Sequence, residues 1–348
     1  MPRGLEVHPI ADEADPPWRA LLDRHVMARS IVPAWEVLAG WENAPYGLYD
    51  HGELVGGFLL STQRIPFTPL KFSRINCLMV GPQRPVEGLD ALLAALDRIA
   101  IKRGLIETEL RLRIPTVDDI PGFEAHAPLR ATFERHGYNP LGKVDTTYFV
   151  RVDRDDDTML ASFDRSARNK IRKAQRSEVQ VEVSSDFTLL DDFYDAYIDM
   201  CHRKSAPVQP EALVGYGLKP LIERGHALFV TERYGEHVSN MVIVDTLGVP
   251  CYVLGARAPA NVRGIVPGAA QVVQFEIMRT MRERGHVWYD LGGCEGPVPI
   301  DRHENFGVWR FKYGFGGRFI RFLPYFRKIR GPLPRVVQLT HELRGDFV

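Results

Sequence analysis

Cysteine is scarce: Cys77, Cys201, Cys251 and Cys294 are the only four among 348 residues, with no Cys-x-x-Cys and no Cys/His pair at zinc-ligand spacing. That excludes a disulfide-stapled scaffold and a structural zinc site; no metal is expected, and a reducing cytosol is the expected setting. Long apolar runs are missing as well. Nothing approaches the roughly 18 residues of a membrane span. Met1 to Asp15 carries Glu6, Asp12, Glu13 and Asp15 in place of a signal peptide's apolar stretch, so a cytoplasmic protein is expected. No charge sign is in excess, since Lys+Arg and Asp+Glu are both 44. A net charge of zero excludes retention on nucleic acid by bulk charge and leaves only local patches. What remains, 45% hydrophobic and 25% charged residues, is an ordinary globular composition. The length is about twice that of a usual domain, which predicts two cores.

The second half repeats the first. Gly47 to Leu60 reads as a strand, a turn at Asp50-His51-Gly52-Glu53 and a returning strand, and Ala227 to Val244 does the same around Arg233-Tyr234-Gly235-Glu236. Each hairpin is followed by an apolar strand (Ile75 to Val80; Cys251 to Gly255), a Gly/Pro loop and a helical stretch (Leu89 to Lys102; Ala269 to Glu283). Both helices stop at an Arg-Gly pair, Arg103-Gly104 and Arg284-Gly285. A further strand is expected after each, around Leu110 to Ile114 and Val287 to Leu291. The repeated unit predicts an α+β fold with a mixed sheet in each of two domains.

The segment between the copies is different. Asp153, Asp155, Asp156 and Asp157 precede a helix expected from Thr158 to Arg176, acids being favoured at a helix N-terminus. Leu160, Phe163, Ala167, Ile171 and Ala174 recur every three or four residues as a buried seam, and Arg165, Arg168, Arg172 and Arg176 project the opposite way.

Three motifs then occur in order: Arg165-Ser166-Ala167-Arg168-Asn169-Lys170-Ile171-Arg172-Lys173-Ala174, Tyr289-Asp290-Leu291-Gly292-Gly293, and Phe311-Lys312-Tyr313-Gly314-Phe315-Gly316-Gly317. With the duplication, they resemble the FemABX family of aminoacyl-tRNA-dependent peptidyltransferases, in its compact type without a helical arm. The resemblance is close over Thr147 to Phe322 and architectural before that. It implies two tandem GNAT-like domains, here expected at 1–150 (acceptor side) and 151–322 (aminoacyl-tRNA side), with a basic tail at 323–348 packing back on the first.

It also implies transfer of an aminoacyl group from tRNA to an amine, on a peptidoglycan precursor or on a small natural-product amine. Attack on an ester by a neutral amine needs alignment and oxyanion stabilisation rather than a cofactor, and none is expected. Lys312 matches the family's essential lysine, and Phe311 its aromatic beside the tRNA terminus. Asp290 ends a strand, where it could contact an amine or bond to the Gly292-Gly293 turn. His303 and Glu304 are candidates by position in the loop before the Phe-Lys pair. Arg203 is similar to an arginine that meets acceptor phosphates, and Tyr252 to a tyrosine lining the acceptor. The family's acidic site in the first domain has no evident counterpart, because Arg111-Leu112-Arg113-Ile114-Pro115 stands where an acid would be sought.

A tRNA partner needs local positive charge. From Asn305 to His341 there is no acid, while Arg310, Lys312, Arg318, Arg321, Arg327, Lys328, Arg330 and Arg335 give +8, interleaved with Phe319, Phe322, Tyr325 and Phe326. Together with Arg165, Arg168, Arg172 and Arg176, Arg318 and Arg321 mark the expected tRNA path on a monomer. Two other functions stand against this one. An acyl-CoA-dependent GNAT would need a glycine-rich diphosphate cradle, and Arg263-Gly264-Ile265-Val266-Pro267-Gly268-Ala269 has the wrong spacing and loses a donor at Pro267. A non-catalytic binding module would have no need of the Phe311-Lys312 pair.

Overall fold

The computed structural model describes residues 4–65, 67–117, 119–177, 179–184, 189–203, 208, 218–234, 237–257, 268–296 and 306–330. Its strands, in chain order, are β1 (Leu5–Pro9), β2 (Glu42–Asp50), β3 (Glu53–Arg64), β4 (Lys71–Met79), β5 (Leu105–Leu110), β6 (Asn139–Pro140) and β7 (Thr146–Arg151). They continue as β8 (Val179–Ser184), β9 (Ala227–Tyr234), β10 (His237–Asp245), β11 (Cys251–Arg257), β12 (Trp288–Gly293), β13 (Arg318–Arg321) and β14 (Phe326–Ile329).

Two seven-stranded sheets form, ordered β1-β2-β3-β4-β5-β14-β6 and β13-β7-β12-β11-β10-β9-β8. Read from the opposite end, the second has the order of the first. Among the described residues, the fourth and fifth strands of each are the one parallel pair (β4/β5 and β11/β12), joined by the helix Pro85–Arg103 or Ala269–Glu283. The repeat is therefore structural, an α+β fold of two mixed sheets flanked by helices. The hairpin turn between β2 and β3 puts both His51 (φ 50) and Gly52 (φ 87) in the left-handed region, as a two-residue turn matched to strand twist requires. Gly104 (φ 68) and Gly285 (φ 84) end the two crossover helices in that same conformation, which the Arg-Gly pairs predicted.

The first compact unit takes the chain up to Ala28, Ala39–Val144 and the segment from Phe322; the second takes Arg29–Leu38 and Asp145–Arg321. The sixth position of each sheet is filled from a distant part of the chain. β14 lies between β5 and β6, and β7 lies between β12 and β13. Lys328 and Arg330 clamp β14 onto the first unit by pairing with Asp97, and Arg330 also donates to the Tyr138 hydroxyl. Residues 29–38 join the second unit through Asp245, which is buried. Its carboxylate accepts from the backbone N–H groups of Ser30 and Ile31, both at 3.2 Å, and so caps the helix Ile31–Leu38 from a strand far along the chain.

Two expectations are corrected. The strand after Gly104 is Leu105–Leu110, not 110–114. Glu107 and Glu109 are buried within it, paired with Arg327 and with Arg74 and Arg111, so an apolar pattern could not reveal it. The helix expected over 158–176 is two, Asp156–Ser162 and Arg165–Gln175. Phe163 is extended (ψ 157), and the Asp164 carboxylate caps the second helix at the Ala167 N–H, 2.6 Å away. The seam still holds across the break: Leu160, Phe163, Ala167, Ile171 and Ala174 are all buried. Phe163 meets Phe275 and Phe315 edge-on, and each such buried ring contributes about 1.5–3 kcal/mol.

Candidate active site

The second unit contains a cavity of about 660 Å³ whose walls come from β10, β11, β12 and the helices Arg165–Gln175, Ala269–Glu283 and Phe306–Tyr313. Lys312 stands in its wall, in the last turn of the short helix, where a cation complements the helix dipole. The residue is only 7% exposed, and its Nζ donates to the carbonyls of Gly292 (3.0 Å) and Gly293 (2.6 Å).

Those carbonyls are presented by an irregularity at the end of β12. Pairing with β7 shifts register between Asp290 and Gly293, and Gly292 has φ 79. Asp290, fully buried, accepts from the Gly292 N–H at 2.8 Å and lies 2.5 Å from the Thr147 hydroxyl, which is itself 2.6 Å from the Gly292 carbonyl oxygen. Asp290 thus organises the turn that seats the lysine, and it is not among the cavity's lining residues. A Cβ on residue 292 would meet the Tyr252 carbonyl oxygen at 2.6 Å, so glycine is required there by both conformation and space.

Tyr252 lines the cavity with its ring centroid 5.9 Å from the Lys312 Nζ, a cation–π distance. Burial pushes its phenol up to about 12, against the pull of the Arg257 charge, so it is a neutral hydrogen-bond donor. The Cys294 thiol is also pushed up by burial, with the Lys312 charge acting in the opposite sense, which argues against a thiolate nucleophile. Phe311 lines the cavity and stacks edge-on against Phe315 at 5.2 Å, serving wall and core together.

Other expected residues fall at different distances from this centre. Arg203 is exposed, ion-pairs with Asp199 one helical turn earlier and donates to the Arg257 carbonyl at 3.1 Å, which ties it to a residue of the cavity wall. Arg165 and Arg172 are exposed on one helix, Arg176 is exposed just past its end, and Arg318 and Arg321 are exposed on β13. Arg168 is engaged locally, its guanidinium donating to the carbonyls of Ala161 and Phe163 and so holding the break between the two helices. Of the basic stretch, Arg310 pairs with Asp164, Arg327 with Glu107, and Lys328 and Arg330 with Asp97. His303, Glu304 and the loop 263–267 lie outside the described residues. Among the described residues, no group of three His, Cys, Asp or Glu could hold a metal ion, and no helix is long and apolar enough to cross a membrane.

The sequence reading missed a polar wall in which Asn240, Glu232 and Gln274 are buried and Arg257 is exposed. Asn240 donates to Glu232 at 2.7 Å and accepts from the Arg257 Nε at 3.1 Å, and Asn240 and Arg257 both line the cavity. Gln274, also in the lining, accepts from the Tyr289 hydroxyl at 3.0 Å. The available signal was an asparagine standing directly before the apolar run Met241 to Val244.

The two sheets define the class: tandem GNAT-like domains. A crystal structure of FemX superposes with a TM-score of 0.80 at 18% identity, covering 97% of this chain and 99% of that one. A tandem GNAT protein from the clavulanic acid biosynthesis pathway superposes at 0.53 and 14% identity, covering 94% and 99%. The FemAB family model matches residues 268–337. A lipid II:glycine glycyltransferase of Staphylococcus epidermidis is 21% identical, over 88% of this chain and 92% of its own length. The resemblance to the FemABX family, read first from the motifs at 165–174, 289–293 and 311–317, is thereby shown.

Proposed function

We propose that this chain transfers an amino acid from aminoacyl-tRNA to the amine of a peptidoglycan precursor. The observation that carries the reading is the seat of Lys312: a buried ammonium fixed by two carbonyls in the wall of a cavity large enough for the end of an acylated nucleotide. The relatives named lipid II:glycine glycyltransferase perform acyl transfer of this kind by name, which favours a wall precursor over a natural-product amine as acceptor.

In the reaction, the acceptor's neutral amine attacks the ester carbonyl carbon and forms the C–N bond. The electron pair displaced onto the carbonyl oxygen gives an oxyanion beside Lys312, then returns to expel the ribose oxygen of the tRNA terminus. The amine's proton leaves with that oxygen, yielding an amide and a free hydroxyl. An ammonium preorganised in a buried site needs no rearrangement as the oxyanion develops, which is where it stabilises the transition state. The cavity's charges suit the donor. Among the described residues, Lys170, Arg257, Arg310 and Lys312 line it with Asp164 as the one acid, and Asp164 is already matched by Arg310.

The acyl-CoA alternative meets an obstacle in the described residues. At the start of the helix Ala269–Glu283, where a diphosphate would need N–H donors, Gly268 is packed so tightly on the Lys170 main chain that a Cβ would sit 2.5 Å from its carbonyl oxygen. An acceptor oxygen at that point repels phosphate. The test offers the chain labelled aminoacyl-tRNA or labelled acyl-CoA with the same lipid-linked muropeptide. Label should pass to the acceptor from tRNA alone, and transfer from acyl-CoA alone would defeat the reading.

A further inference from the structure

The first unit carries a surface that the transfer reaction leaves unexplained. Phe67, in the turn between β3 and β4, is fully exposed, and its φ of 61 places a bulky side chain in the left-handed region. Such a conformation is unfavourable for any residue with a Cβ and is found where function demands it. Glycine would fit without strain. The sequence instead puts an aromatic ring there and leaves it in solvent.

A second large apolar side chain stands at the same end of the sheet. Ile101, 81% exposed, is in the last turn of the helix Pro85–Arg103. That helix ends at Gly104, whose carbonyl accepts from the Lys71 N–H at 3.0 Å and whose backbone abuts the Pro69 carbonyl oxygen. The helix end and the β3–β4 turn are therefore neighbours. The two segments that build this end carry charge of one sign. Residues 64–71 and 98–104 contain Arg64, Lys71, Arg98, Lys102 and Arg103 and no acid. The nearby Glu42 pairs with Lys71 at 3.4 Å.

We propose that this end of the first unit docks on the surface of an anionic lipid bilayer. Phe67 and Ile101 enter the boundary between headgroups and acyl chains, and the surrounding cations face the lipid phosphates. Apolar side chains ringed by Lys and Arg are the composition of an interfacial anchor. Neither a solvated face nor a nucleic-acid groove accounts for it as well. A solvated face has no use for a strained, exposed phenylalanine, and a single-strand nucleic-acid site needs stacking platforms in a groove, whereas these two side chains project and isoleucine has no π-face to offer. The purpose of the docking rests on the transferase reading: it would hold the enzyme where a lipid-linked acceptor resides.

The experiment is co-sedimentation of the full chain with vesicles of phosphatidylcholine alone or containing roughly 30% phosphatidylglycerol. Binding is expected only to the anionic vesicles and should weaken as salt shortens the Debye length. Phe67→Gly combined with Ile101→Ser should lower the partition coefficient at least about tenfold. The Phe67→Gly change alone should leave the melting temperature equal or raised, because it removes the left-handed strain. Each of Arg64→Gln and Lys102→Gln should lower binding about fivefold. Wild-type protein that ignores anionic vesicles, or a double variant that binds them undiminished, overturns the proposal. So does binding to an RNA hairpin, lost in these variants, without vesicle binding. The vesicles hold neither donor nor acceptor, so the two ideas fail separately. A chain that binds vesicles but transfers nothing defeats the transferase reading alone; one that transfers but ignores vesicles defeats the docking alone.

Discussion

Gly255→Ala tests whether the wall of the cavity is built around Tyr252. A Cβ at position 255 would lie 1.9 Å from the Tyr252 Oη, 2.9 Å from Cζ and 3.3 Å from Cε2. Since contacts between such atoms are relaxed only at about 3.5 Å, the phenol must move by more than 1 Å. The backbone itself raises no objection, because Gly255 is outside the left-handed region and alanine in a strand is favoured over glycine by about 0.5–1 kcal/mol. The cost is therefore overpacking of a half-buried ring wedged in the cavity wall, about 1–3 kcal/mol. The displaced ring would also abandon its place beside Lys312, so transfer should fall together with stability. Tyr252→Phe removes the worst contact and keeps the milder ones, so it should partly rescue Gly255→Ala. A double-mutant cycle read by urea unfolding and by single-turnover transfer should give a coupling energy near 1 kcal/mol. Additivity of the two changes to within about 0.5 kcal/mol would refute the argument.

Two further outcomes are expected. Asp245→Ala removes the carboxylate that caps the helix Ile31–Leu38 and accepts from Ser30, Ile31 and Leu247, and should cost roughly 3 kcal/mol in the second unit, measured by denaturant unfolding; a loss below about 0.5 kcal/mol would mean the strap is held otherwise. His25 is half-buried, its Nε2–H donating to the Val80 carbonyl at 2.8 Å and its Nδ1 accepting from the Met27 N–H at 3.1 Å; burial lowers its pKa against the Val80 hydrogen bond, and the Arg24 charge adds to the lowering. A lowered histidine contributes stability that is full above its unfolded value near 6.5 and is lost as pH falls through the folded one, so the first unit should weaken on acidification. An NMR titration showing His25 protonated in the folded protein at pH 6.5 would contradict this.

Much of the fold was legible because the repeat carries its own punctuation. The Arg-Gly stops are conformational necessities, and Asp50-His51-Gly52-Glu53 marks its turn. The errors have physical causes. Glu107 and Glu109 hide a buried strand, because burial there is compensated by arginines on β4 and β14 and by Arg111 just past the strand, which no local pattern announces. The seam from Leu160 to Ala174 keeps helical spacing across a break, because Phe163 turns inward while the chain is extended; Asp164 as a capping residue was the overlooked sign. In the site, Lys312 and Tyr252 line one cavity. Asp290 instead shapes the turn beneath the lysine. Asn240, Arg257 and Gln274 reach the cavity only through strand register and helix packing, which one-dimensional spacing does not encode.

The most direct measurement is single-turnover transfer from labelled aminoacyl-tRNA by wild type, Lys312→Ala and Lys312→Arg, with circular dichroism and melting temperature recorded for each. Loss of one preorganised donor to an oxyanion corresponds to about 2.7–4 kcal/mol, so Lys312→Ala should be slower by a factor of roughly 10²–10³ while remaining folded. Arginine, too broad to fit between the Gly292 and Gly293 carbonyls and Tyr252, should recover little of that rate. A folded Lys312→Ala variant that transfers within about threefold of wild type would contradict the account.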